Sequence, residues 1–166
     1  MIEHPKEVDV FAAHAREFMT WCESDHNGKT SEQMQRESLK QLSRLYAAAL
    51  DLPGVDLKEA PDPPSQDQAV RQRLAANLKS LPFQYYWEVF TPTDDRDHEP
   101  LTGDLFDDLL DIYGDIAGGL WLYERGHFEA AVFEWSFRFG VHWGRHVVSA
   151  LHALHSFEAE EGHSAL

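Results

Sequence analysis

The feature that most limits what this chain can fold into is its last third, residues 104–157. There a helical repeat runs on both sides of a single short turn at Gly126. Leu105, Leu109, Ile112, Ile116 and Tyr123 recur at helical spacing and predict a helix from Asp104 to Glu124, with Thr102 placed to cap it. Phe128, Val132, Trp135, Phe139, His142 and His146 share one face of a longer predicted helix, Phe128 to Phe157. Phe133, Phe137, Val141, Val148 and Leu151 make the opposite face apolar as well. A helix apolar on two sides is expected at the centre of a bundle or buried in a homodimer. So short a connection folds the two helices into an antiparallel hairpin.

The rest of the chain repeats the helical period more briefly. Phe11, Ala15, Phe18 and Cys22 fall on one face over residues 6–24. Thr30 and Gln33 have the spacing of a capping box, opening a helix that carries Met34, Leu42, Leu45 and Ala49 inward and ends at Pro53-Gly54. Residues 52–66, with four prolines, have no period. Val70, Leu74 and Leu78 mark a shorter helix, the aromatic run PFQYYWEVF (82–90) reads as a short helical turn, and 91–103 reads as a polar loop. The expected fold class is all-α: an antiparallel up-and-down bundle of four main helices plus a short aromatic helix, one domain over residues 1–166.

Composition narrows the partners. The chain carries 29 acidic against 14 basic side chains, a formal charge of −15. That field repels phosphate backbones and anionic lipid, so neither nucleic acid nor a membrane surface is expected as a partner. The single cysteine, Cys22, suits a reducing cytoplasm. The N-terminus lacks the pattern of a signal peptide, and no apolar run approaches the ~18 residues of a membrane span.

One polar constellation stands out. Asp104, Asp108, Asp111 and Asp115 line up on the first helix of the hairpin, where like charges repel and Asp is a weak helix former. A helix N-terminus accounts for Asp104 but not for Asp111 or Asp115. Closing the hairpin at Gly126 brings Asp115 level with Trp135 to Arg138, and Asp108 and Asp111 within a turn of His142 and His146. The first reading is a buried network in a non-enzymatic structural or protein-interaction domain. In it Asp115 pairs with Arg138, Asp108 or Asp111 accepts from a histidine, and Trp135 and Trp143 donate indole N–H groups. The alternative is a divalent-metal site (Zn, Mn or Fe) with Asp108, Asp111, His142 and His146 as ligands, suited to a metal-dependent hydrolase. Asp115, Trp135, Arg138 and Trp143 would then support those ligands. No catalytic residue can be named, since a Ser-His-Asp set, a Gly-rich phosphate loop and a His-Glu-x-x-His motif are all missing.

The run GDLFDDLLDIYGDIAGGLWLY, with Asp107, Asp108, Leu109, Asp111, Ile112, Tyr113 and Asp115, carries a resemblance, as do Glu134-Trp135, His142-Trp143-Gly144 and His146. Together with LSRLYAAALDLP (42–53) and PFQYYWEVFTP (82–92), these resemble a bacterial family known as domain of unknown function number 5063. Gly114 departs from the family, which carries a larger residue there. The resemblance covers most of the chain, implies a single domain, and implies no activity.

Overall fold

The central element of the computed structural model, which describes residues 4–94, 96 and 99–163, is the acidic helix of the hairpin. In chain order the elements are α1 (Lys6–Glu23), α2 (Ser31–Leu50), α3 (Gln68–Asn77), β1 (Tyr85–Glu88), β2 (Leu101–Asp104), α4 (Leu105–Glu124), α5 (Phe128–Val141) and α6 (Trp143–His163). Helix α4 packs against α1, α3, α5, α6 and β2. It buries Leu105, Leu109, Ile112, Ile116 and Leu120 together with Asp108 and Asp115. A helix surrounded on most sides needs apolar residues on most sides, and two buried carboxylates must then find partners there.

Three local devices fix this arrangement. Gly126, at φ +81, ends α4: its N–H bonds Tyr123 O and the next N–H, of His127, bonds Leu122 O. That pair of bonds is a Schellman turn, whose left-handed residue favours glycine. Gly119 faces the Trp135 indole, and a Cβ there would overlap the ring. The close approach lets Trp135 Nε1 donate to Ile116 O at 3.1 Å. Thr30 and Gln33 form both bonds of the capping box that opens α2.

Four sequence expectations are corrected. The segment 82–90 is not helical: Tyr85–Glu88 pairs antiparallel with Leu101–Asp104, so the predominantly helical fold carries one two-stranded sheet. Alternation of Tyr86 and Glu88 with Tyr85 and Trp87 is a strand period that the aromatic density conceals. Thr102 lies within β2, and Asp104 caps α4 instead, accepting from the N–H groups of Phe106 and Asp107. The helix predicted from Phe128 to Phe157 breaks at His142 (φ −142, ψ −85) into α5 and α6. At the break Phe139 O approaches Gly144 so closely that a Cβ would collide with it. Finally, Phe137, Val141 and Val148 are exposed in the single chain, so that face does not lie at the centre of the bundle. Residues 95, 97 and 98 of the polar loop lie outside the described residues, as do the two ends of the expected 1–166 domain. Among the described residues no helix is long and apolar enough to cross a membrane.

Candidate functional site

The break at His142 gives the cluster its shape. On one unbroken helix His142 and His146 would be stacked one turn apart. Here His142 closes α5, its N–H bonding Arg138 O at 2.8 Å, while His146 sits in the first turn of α6. The two rings lie edge to face with centroids 4.8 Å apart.

Each histidine is held by a different buried aspartate of α4. His146 Nδ1 is 2.7 Å from Asp108 Oδ1, and His142 Nδ1 is 2.7 Å from Asp115 Oδ2. Asp108 also accepts from the Tyr86 hydroxyl at 2.6 Å, and Asp115 from Arg138 Nη1 at 3.1 Å. Arg138 is held in turn by Glu134 one helical turn earlier. Asp111 lies between the couples. Its Oδ2 is 3.8 Å from His146 Nε2, and its Oδ1 accepts from Arg71 of α3 at 3.2 Å. Arg71 reaches Asp107 as well.

Burial pushes the Asp108 carboxyl above its usual range, against the opposite pull of His146 and Tyr86. The hydrogen bond to Asp108 holds the His146 imidazole above its ordinary value, against the effect of burial. His146 Nδ1 lies 2.7 Å from Asp108 Oδ1, and an ionised carboxylate only accepts, so we assign the N–H to Nδ1. Burial and Asp108 together drive the Tyr86 phenol upward, keeping it a donor at any physiological pH.

A histidine whose Nδ1–H donates to a carboxylate keeps its lone pair on Nε2 in the neutral ring. Carboxylate–histidine pairs of this kind stand behind many metal ligands, fixing tautomer and ring orientation. Among the described residues, one donor atom each from Asp111, His142 and His146 lies within 4.8 Å of the others. Bound to one ion at ~2.1 Å, tetrahedral donors stand about 3.4 Å apart, so closing the group requires movements on the order of 1 Å. The local charge favours a cation. Asp107, Asp108, Asp111, Asp115 and Glu134 make five carboxylates against two guanidiniums, Arg71 and Arg138.

Of the residues singled out in the sequence, Asp108, Asp111, Asp115, Arg138, His142 and His146 come together. Trp135 and Trp143 do not join them. Their indoles donate to the backbone carbonyls of Ile116 and Trp135, each at 3.1 Å, within the core around Phe11. Sequence reasoning missed Tyr86 and Arg71. Tyr86 reaches Asp108 because Gly103, its partner across the hairpin, leaves room for the ring. The alternation around Tyr86 and the glycine opposite were the available signals. Arg71 stands in a weakly patterned helix and had none.

The family model described as Domain of unknown function (DUF5063) matches residues 2–160. Among solved structures, the crystal structure of protein BF1032 from Bacteroides fragilis is similar, with a TM-score of 0.75 over 92% of each chain at 24% identity. At that identity the likeness shows the fold alone. No curated protein matches.

Proposed function

The chain belongs to the DUF5063 family, and from that premise we propose that it is a divalent-metal-binding protein with Asp111, His142 and His146 as its ligands. The observation that carries this reading is the pairing of each histidine Nδ1 with its own buried carboxylate, both bonds at 2.7 Å. Such pairing orients two Nε2 atoms before any ion arrives, which lowers the cost of assembling the site. Asp108 and Asp115 then act through the histidines rather than as ligands. Two imidazoles and one carboxylate suit Zn, Mn or Fe(II), and three protein donors leave coordination positions for water.

The test is titration of chelator-treated protein with Zn, Mn, Co and Fe(II), followed by calorimetry and by melting temperature. One equivalent should bind and raise the melting temperature, by roughly 2.7 kcal/mol of stability at a free concentration a hundred times Kd. His142→Ala and His146→Ala should abolish binding, and Asp108→Asn should weaken it on the order of tenfold to a hundredfold without abolishing it. If none of the four metals binds, the proposal fails. A second reading would then stand on the same bonds. Asp108–His146 and Asp115–His142 tie α4 to the α5–α6 unit without any ion, and that network would serve to fix the register of a structural or interaction domain.

A further inference from the structure

We infer that a second site, a cleft on another face of α6, binds a small apolar molecule bearing one carboxylate, with Arg145 taking the charge. The cleft has a volume of about 730 Å3 and lies between β1, the segment that follows it, and the helix face carrying Gly144, Arg145, Val148, Ser149 and His152. His146 points from a different side of the helix, toward α4, so the cleft does not share the metal ligands. A volume of this size and a mainly apolar wall are what small-molecule sites offer.

The aromatic lining comes from Tyr46, Trp87, Phe90 and Phe139. Trp87 is 72% exposed and Phe90 53%, an open apolar surface on a chain whose net charge is −15. Exposed aromatic side chains gathered along a concave wall mark a place where something is buried. The Arg145 guanidinium lies 3.8 Å from the Phe90 ring centroid. Among the described residues it has no carboxylate partner, whereas Arg16, Arg44, Arg71 and Arg138 each have one. A guanidinium seated over a ring and without a carboxylate partner keeps N–H donors that can receive a carboxylate in two parallel hydrogen bonds.

The rest of the wall limits the ligand further. Glu88 lines the same cleft and repels a second negative charge, which disfavours phosphate esters and dicarboxylates. His152 can add a hydrogen bond to a single acid group, while the aromatic side chains cover a flat ring or an alkyl chain.

The experiment compares two acids with their uncharged alcohols: 2-naphthoate with 2-naphthalenemethanol, and decanoate with decanol. Calorimetry is run on chelator-treated protein, so that no acid can bind through a metal. At least one acid should bind at one equivalent and at least tenfold tighter than its alcohol. Arg145→Leu should remove that preference with the melting temperature unchanged, and Trp87→Ala should weaken acid and alcohol alike. His146→Ala should leave acid binding intact, which separates this site from the metal site. The proposal is overturned if neither acid binds, if each alcohol equals its acid, or if Arg145→Leu keeps the preference. A cleft closed by a second copy of the chain would instead give a concentration-dependent dimer with no acid preference, and that result also overturns it.

Discussion

The side of α6 that faces α4 and the side that faces the cleft are built on opposite terms. Toward α4, His146 and neighbouring His142 meet two buried aspartates, and each aspartate has a second partner in Tyr86 or Arg138. Toward the cleft, Arg145 is stacked on a ring and has no carboxylate partner among the described residues. Ring orientations fixed in advance suit a small ligand with strict directional demands, such as a metal ion. A broad aromatic wall with one uncommitted charge suits a larger ligand held mostly by burial. Both sides depend on the break at His142, which ends α5 and lets α6 begin at Trp143.

Gly144→Val attacks that shared dependence and should have the largest effect. A side chain at this position meets the Phe139 carbonyl, a backbone group that cannot rotate away. Destabilisation of about 3 kcal/mol is expected, measurable by urea unfolding, because overpacking against backbone belongs at the upper end of such costs. Metal affinity and naphthoate affinity should fall together. Loss of one without the other would show that only one side needs the break.

Asp115→Ala should separate the two sides. The carboxylate is buried, but the partners it leaves behind, His142 and Arg138, are half-exposed and can turn to water. The cost is therefore closer to that of hydrogen bonds to a charged group, about 2 kcal/mol, than to that of a stranded buried ion. Metal affinity should fall on the order of tenfold to a hundredfold, since His142 loses the group that orients it. Binding of 2-naphthoate should not change, and calorimetry of the same variant with both ligands checks this directly.

What the sequence reveals follows from how local each cause is. The α4–α5 hairpin rests on periodicity and a glycine turn, both written within a few residues, and the gathering of Asp108, Asp111 and Asp115 with His142 and His146 follows from it. The break at His142 depends on a contact between Phe139 O and Gly144. FRFGVHWG reads as continuous helix unless both of its glycines are weighed as weak helix formers. The β-hairpin depends on pairing across a loop, and Tyr86 enters the cluster only through that pairing. The division of labour among the aspartates is a matter of ångströms. Asp108 and Asp111 are three residues apart on one helix, yet one meets His146 at Nδ1 and the other faces its Nε2. No spacing rule resolves that difference.

Arg138→Ala should have the smallest effect and makes the finest distinction within the α4 side. Helical register alone gives Asp115 and Arg138 equal weight as a buried pair, but the Arg138 side chain is 44% exposed and that of Asp115 only 9%. Solvent screens the attraction of a half-exposed guanidinium while the pair is intact, and the carboxylate left behind by the substitution still has its bond to His142. The expected loss is below about 1 kcal/mol, falling further at high salt. A double-mutant cycle with Asp115→Ala should return a coupling of the same small size. Asp115 keeps His142 when Arg138 is gone, so metal affinity should change less in this variant than in Asp115→Ala. A loss near 3 kcal/mol would mean that the guanidinium is dry in solution, and therefore covered by a second molecule. Exposed Phe137 and Val141 on the same stretch of α5 would then be the first residues to test for a homodimer contact.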